Sequence, residues 1–417
     1  MIQTDNLANL INKQLPLELV QFMHLAGEVA ARQKQRLFLV GGVVRDLLLK
    51  RENLDLDLVA EKDAVSLAEE MARLKGGKVI AHSRFNTTKV RWDKWSVDIA
   101  TARAESYEAR GALPSVQCQC SIQDDLIRRD FTINAMAVHL DPQHYGELID
   151  LYHSRKDLKH EYIRILHDNS FKDDATRIWR AVRYEQRLNF SIERHTLEIL
   201  RRDIGYLDTI SGDRIRHELE LCLEEDKPEK PLLRANQLKV LCRINSNLEA
   251  DEWLARKISR ARSILQPYYP PKELMLAFLF YRLSHDDLEQ IINYLKFPHT
   301  VSQDLVDTLE LKNELQSLTK PELAPSQIYR CLHSYSQTAI LANLMVTDNQ
   351  LVRQRIDLYV NKLRNVQPAL TGNDLLEMGI GPGRQIKEVL EHLRDARLDG
   401  RASTREEEQE IVSNRSF

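Results

Sequence analysis

Long hydrophobic runs are what this 417-residue sequence most plainly lacks. The longest apolar stretch of its second half, Leu274–Phe280, is far short of the roughly 20 residues a membrane-spanning helix needs. No membrane role is expected. The opening residues MIQTDNLANLINKQLP contain acidic and amide side chains and no apolar h-region, which speaks against a secretory signal and for an N-terminal helix. Cysteine is scarce and oddly placed: Cys118, Cys120, Cys222, Cys242 and Cys331 have no framework spacing. That excludes a disulfide scaffold and predicts reduced thiols in a cytoplasmic protein. Cys118 and Cys120 stand too close together for a structural zinc site, and no second cluster accompanies them. An excess of positive charge is also missing. With 59 Lys and Arg against 62 Asp and Glu the net charge is −3, so any nucleic-acid surface must come from local clustering. Internal repeats and low-complexity tracts are absent too. What remains, 43% hydrophobic and 29% charged residues, is an ordinary globular balance in a chain long enough for about three domains.

The first third alternates two periodicities. LFLVGG, LDLDLVA, KVIAHS, TTKVRW and SVDIAT read as short strands, and VSLAEEMARLKGG (Val65–Gly77) reads as a helix closed by a glycine cap. From about Asp173 onward the spacing is helical throughout. A strand-containing head followed by an all-helical remainder predicts an α+β protein. The polar, proline-bearing stretches LEEDKPEKPLL and LKNELQSLTKPELAPSQ read as connectors.

Within LFLVGGVVRDLLLKRENLDLDLV (Leu37–Val59), Asp55 and Asp57 lie two apart in an aliphatic run. On a strand both would project from one face, with Leu54, Leu56 and Leu58 on the other. Adjacent carboxylates repel unless a cation lies between them, and Mg²⁺ takes one or two carboxylates plus substrate phosphate oxygens. Taken alone, the pair fits a solvated acidic strand better than a metal site. Gly41-Gly42, between a strand and a helix-like segment, forms a turn whose N–H groups can cradle phosphate. Together the two features suggest a nucleoside triphosphate held with Mg²⁺. Asp98, with Val97 and Ile99 facing the opposite way, offers a third carboxylate if its strand neighbours the first.

These segments, together with RRDFTINAMA (Arg128–Ala137), resemble the class II tRNA nucleotidyltransferases. That family comprises CCA-adding enzymes and bacterial poly(A) polymerases of the polymerase-β-like superfamily. The resemblance implies a nucleotidyltransferase head with a small mixed sheet (1–145), a helical neck (146–225), a helical body (226–330) and a helical tail (331–417). It implies catalysis by Asp55 and Asp57 as Mg²⁺ ligands, to which the strand reading adds Asp98 as a third catalytic carboxylate. Gly41, Gly42 and Arg45 fall in the same motif as nucleotide-binding residues. Arg128, Arg129, Asp130 and Asn134 fall in its ribose- and triphosphate-reading motif; without the family, Asp130 and Asn134 fit a helix start. In DDATRIWRAVRYEQRLNF, Asp174 and Arg177 match the nucleotide-selecting motif, where a carboxylate accepts from the exocyclic amine of C or A and a guanidinium donates to ring acceptors. Asp173 departs from that motif, which has glutamate there. On a helix, Asp174 and Arg177 would share a face, and the plain alternative is an i,i+3 ion pair. Arg180 and Arg183, continued by Arg187, form a basic ridge or a solvated face. Asp150 and Asp157 are expected as structural anchors, and Arg214 with Glu218 as a brace of the neck.

The tail segment LTGNDLLEMGIGPGRQIKEVLEHLRDARLDGRAST resembles the tRNA-gripping end of CCA-adding enzymes and points to Arg384 and Lys387 at a helix start, where a turn and cap is the plain alternative. The implied activity is addition of C, C and A from CTP and ATP to tRNA 3′ ends, with the acceptor and upper half of tRNA as partner. A specialised A-adding or CC-adding enzyme shares these motifs. The segment Ala104–Cys120 stands where the family's flexible loop lies, and its full length disfavours CC-only addition. A poly(A) polymerase fits the acidic end REEEQEIVSNRSF less well. A non-catalytic RNA-binding protein would not need the paired carboxylates.

Overall fold

The computed structural model describes residues 6–82, 87–106 and 115–414. The chain divides into two compact units, Met1–Leu219 and Glu220–Phe417.

Eleven strands lie in the first unit among the described residues: β1 (Leu37–Val40), β2 (Leu56–Ala60), β3 (Lys78–His82), β4 (Thr87–Trp92), β5 (Trp95–Thr101), β6 (Arg103–Ser106), β7 (Ser115–Cys118), β8 (Met136–His139), β9 (Leu148–Asp150), β10 (Tyr162–Ile163) and β11 (Ser191–Ile192). Seven of them form one mixed sheet in the order β3-β4-β5-β2-β1-β8-β9, and β6 and β7 make a separate ribbon. β2 and β5 run parallel, the one such pair in the large sheet. All four residues of β1 are buried, as the uninterrupted LFLV run requires of a central strand. Phe38, Val40, Val59, Ala102, Ile122, Leu126 and Ala137 pack into a core against it.

Two helices, Leu17–Arg32 and Ala64–Lys75, support the sheet. The first comes so close to the end of β8 that a Cβ on Gly27 would sit 1.9 Å from the Leu140 carbonyl oxygen. The second is capped by Asp63, which accepts from Val65 and Ser66 N–H, and it ends at Gly76 in the left-handed region.

The five strands expected from the sequence are all present. β2, however, starts two residues late, at Leu56 instead of Leu54. Asp55 donates its N–H to Asn53 Oδ1 at 2.9 Å, a local turn that holds Asp55 out of the ladder. Leu54 is consequently exposed rather than packed with Leu56 and Leu58. β8 carries no polar alternation and β9 has only three residues, so neither shows a strand signature.

From Ser154 on the described chain is helical but for the short parallel pair β10–β11, whose second strand, Ser191–Ile192, interrupts the helical spacing expected after Asp173. Asp150 anchors the helix Ser154–His160 by accepting from Ser154 N at 2.7 Å and Arg155 N at 3.1 Å. Asp157 accepts from Thr132 Oγ1 at 2.7 Å and Arg164 Nε at 3.0 Å, tying that helix to the segment before β8.

The second unit is helical among its described residues. The apolar run Leu274–Phe280 proves to be a core helix, buried at every position. One core gathers Leu311, Leu318, Ile328, Leu332 and Ile356, and another Leu370, Leu375, Val389, Leu393 and Val412. No described helix is long and apolar enough to cross a membrane. Residues 107–114 of the expected loop lie outside the described residues.

Candidate active site

A polar cleft of about 420 Å³ opens in the first unit. It brings together Gly41, Gly42, Asp57, Arg128, Arg129, Asp130, Asn134, Asp174, Arg177 and Arg180, residues spread over 140 positions of sequence. Arg45, Asp55, Asp98 and Arg183 are not among its lining residues, whereas Arg103, Glu105 and Tyr184 are.

At one end stand the carboxylates. Asp57 pairs across the sheet with Val40 of β1 and, on the other side, with Asp98 of β5. Being parallel neighbours in register, Asp57 and Asp98 project to the same face. Burial and then the charge of Asp55 push the Asp57 carboxyl up to about 6; Asp98 adds to this, while Arg129 and Lys89 oppose it. Asp98 itself is paired with Lys89 Nζ at 3.0 Å. Among the described residues no three His, Cys, Asp or Glu side chains form a ready cage for a metal. The donor set fits a hard divalent ion even so, since Mg²⁺ needs only one or two carboxylates with substrate oxygens, and crowded acidic groups gain most from a cation.

The turn between β1 and the helix Gly42–Leu48 is shaped for close approach. Gly41 has φ +78°, and a Cβ there would meet Arg129 Nη1 at 3.2 Å and Asp57 Oδ2 at 3.4 Å. Arg45 lies behind this turn. Its guanidinium grips Asp46 through Nε (2.9 Å) and Nη2 (2.8 Å) and donates from Nη1 to Asn134 Oδ1 at 2.7 Å. It therefore supports a lining residue instead of lining the cleft.

Two arginines rise from the end of the helix Ile122–Ile127 over a fully buried carboxylate. Asp125 accepts from Arg128 on Oδ1 (2.6 Å) and from Arg129 on Oδ2 (2.8 Å). Burial alone would raise the Asp125 carboxyl, but Arg129 and Arg128 outweigh it and hold the group below its ordinary value. Arg129 Nε is buried with no hydrogen-bond partner among the described residues, a donor suited to a ligand oxygen.

Beside them Asp130 is nearly inaccessible. Its Oδ1 accepts from Phe131 N–H (2.8 Å) and Asn134 Nδ2 (3.0 Å), and its Oδ2 lies 2.7 Å from Arg180. Burial is again outweighed, chiefly by Arg180 and Asn134, and the carboxyl stays ionised. A short 3₁₀ turn, Thr132–Asn134, follows in place of the alternative helix start.

The other end holds Asp174 and Arg177, though not on a shared helical face. The helix begins at Thr176, and Asp174 precedes it in extended conformation. Asp174 Oδ1 accepts from Thr176 N–H (3.0 Å), Thr176 Oγ1 (2.7 Å) and Arg214 Nη2 (2.8 Å). Arg177 donates to Ser170 Oγ at 2.7 Å and to the Arg128 carbonyl at 2.6 Å. The plain i,i+3 ion pair between them is thus absent: each is held by other groups and both line the cleft. The arginine ridge does not form a continuous surface either. Arg183 is buried, with Nη2 3.6 Å from Glu218, and only Arg180 reaches the cleft.

Sequence reasoning missed Asp125 and Tyr184. Asp125 stands three and four residues before Arg128 and Arg129, a helical spacing that advertises their pairing. Tyr184 follows Arg177 and Arg180 at i+7 and i+4, on the same face. In the second unit Arg384 and Lys387 are exposed on the first turn of the helix Arg384–Leu398 and pair with Glu388 (2.7 Å) and Glu391 (3.9 Å).

Comparison with known proteins supplies the context. Residues 37–164 match the family described as Poly A polymerase head domain. An A-adding tRNA nucleotidyltransferase of Halalkalibacterium halodurans is 34% identical over 392 residues, 93% of this chain and 90% of the relative. A second A-adding tRNA nucleotidyltransferase, from Geobacter sulfurreducens, is 33% identical across 99% of this chain, which spans only 48% of that protein's length. A solved structure of a CCA-adding enzyme in an apo form superposes with a TM-score of 0.83 at 30% identity, covering 98% of this chain and 99% of the other.

Proposed function

This chain belongs to the class II tRNA nucleotidyltransferase family, and from that premise we propose that it extends tRNA 3′ ends with C and A taken from CTP and ATP. The terminal ribose hydroxyl of the tRNA attacks the α-phosphorus, the bond to the β-phosphate oxygen breaks, and pyrophosphate leaves. One observation carries the reading: groups suited to cation, triphosphate, sugar and base line a single cleft.

Asp57, with Asp55 and Asp98 beside it, would hold Mg²⁺. When bound, such ions favour ionisation of the attacking hydroxyl and neutralise the departing pyrophosphate. Arg128 and Arg129, fixed by Asp125, direct their remaining donors at phosphate oxygens. Asp130 and Asn134 are placed to bond a ribose hydroxyl. At Asp174 the described hydrogen bonds all go to Oδ1, which leaves Oδ2 to accept from an exocyclic amine. Uracil and guanine offer a carbonyl oxygen at that position and are repelled. Arg177 has five N–H groups, and those not used on Ser170 and Arg128 are available for ring acceptors. Arg384 and Lys387 are candidates for tRNA phosphates. A tRNA substrate accords with a cytoplasmic location.

Addition of all three nucleotides is the first reading. A-only addition is the second, favoured by the A-adding names of the relatives at 33% and 34% identity. Three tRNAs, ending at the discriminator base, after one C and after two, are incubated with CTP, ATP or both, and product lengths are read on a gel. Extension of the first primer by CTP and of the third by ATP supports full CCA addition. Extension of only the third, with ATP, supports the second reading. No extension of any primer sinks both.

A further inference from the structure

Tyr184 lines the cleft from the helix Thr176–Leu188 and has no part in the chemistry above. Its surroundings are unusual. The guanidinium carbons of Arg45, Arg183 and Arg187 lie 5.4, 5.1 and 5.9 Å from its ring centroid. The edge of Phe131, the residue after Asp130, meets the same ring with centroids 5.9 Å apart. A tyrosine ring attracts guanidinium groups through its quadrupole, most strongly where water is excluded.

Arg45, one of those groups, and Arg180 on the same helix as Tyr184 both lead to one carboxylate. Arg45, drawn to the Tyr184 ring, donates to Asn134 Oδ1, and Asn134 donates in turn to Asp130 Oδ1. Arg180 stands one helical turn before Tyr184 and lies 2.7 Å from Asp130 Oδ2. Burial would weaken the charge on Arg180, but the carboxylate of Asp130 outweighs it, helped by Glu218 and by a hydrogen bond with the Tyr184 hydroxyl. One limb reaches Oδ1 and the other Oδ2, and Tyr184 touches the beginning of both.

We propose that Tyr184 is a positioning residue for sugar selection: it fixes both oxygens of Asp130 through Arg45–Asn134 and through Arg180, and so sets the preference for ribo- over 2′-deoxyribonucleotides. A hydroxyl-reading carboxylate discriminates only if its acceptor geometry is held, because a rotated carboxylate accepts equally poorly from a substrate with the hydroxyl and one without it. The inference rests on the reading of Asp130 as the sugar contact.

The test measures kcat/KM for ATP and for 2′-deoxyATP on a tRNA primer ending in CC, using the full chain and the variants Tyr184→Phe, Tyr184→Leu and Asp130→Ala. Tyr184→Phe keeps the ring limb and loses the hydroxyl limb, and its ribo-to-deoxy ratio is expected to fall about threefold. Tyr184→Leu loses both, and a fall of about tenfold is expected, mostly through KM for ATP. A purely structural role would lower activity with both nucleotides together and leave the ratio where it was. Ratios within twofold of wild type in both Tyr184 variants, with Asp130→Ala impaired in selection, overturn the proposal alone. An unchanged ratio in Asp130→Ala overturns the sugar assignment and the proposal with it. Should Tyr184→Leu fail to fold, as judged by its thermal midpoint, the ratio of Tyr184→Phe decides.

Discussion

Asp57, the metal ligand of the proposed reaction, carries a cost to the fold. Its carboxyl, pushed up to about 6, is ionised at neutral pH against burial and the charge of Asp55. Replacing it with asparagine removes that repulsion. Asp57→Asn is therefore expected to abolish nucleotide addition and yet to stabilise the metal-free protein by roughly 1 kcal/mol. Thermal unfolding in a chelator beside a primer-extension assay checks both halves; a lower midpoint, or retained addition, contradicts the account. Asp125 behaves in the opposite sense. Since Arg129 and Arg128 hold its carboxyl below the ordinary value, it contributes stability above that ordinary value, and this is lost as pH falls through the depressed one. Asp125→Asn should be less stable than wild type by about 2–3 kcal/mol near neutral pH, since it weakens the anchor of two cations. In urea titrations the gap should narrow as pH falls below the ordinary carboxylate range, where the wild-type carboxyl becomes protonated. A gap that stays constant with pH would remove charge from the explanation.

At the scale of elements, the helix Leu17–Arg32 depends on a missing side chain. A Cβ on Gly27 would clash with the Leu140 carbonyl, and backbone cannot yield as a flexible side chain does. Gly27→Ala is expected to cost about 1–3 kcal/mol even though alanine favours helices. Denaturant unfolding measures it, and a variant as stable as wild type would show that the helix can move away. Elements of this kind also mark how far the sequence could be read. The five strands before Ala102 were legible because apolar alternation and glycine turns bound them. β8 was not, since the buried run at its start looks the same in a helix. Asp55 was expected inside β2, but its N–H is captured by Asn53, a competition between side chain and ladder that periodicity does not reveal. Asp174 likewise left its expected helix to cap Thr176, yet it reached the cleft. The residue types were legible, and the geometry that joins them was not.

For the whole molecule, a net charge of −3 hides a division of labour. Arginines of the first unit converge on its cleft, while in the second Arg384 and Lys387 stand in solvent. Their pairs with Glu388 and Glu391 are exposed and weak, so an RNA phosphate can replace the glutamates as partner. Reversing both charges, Arg384→Glu with Lys387→Glu, is expected to raise KM for tRNA severalfold and to leave KM for ATP unchanged. Steady-state kinetics with each substrate varied in turn tests this; equal effects on both would place these residues outside tRNA binding.

The register of β2 has a consequence for how the protein is made. Asp57 is flanked by Val40, from earlier in the chain, and by Asp98, from later. Arg129 and then Asp174 follow at still greater distance along the chain. A ribosome therefore delivers the glycine turn and Asp57 long before Arg129, Asp174 and Arg177 of the same cleft. Any chain released before Arg177 lacks part of the cleft lining.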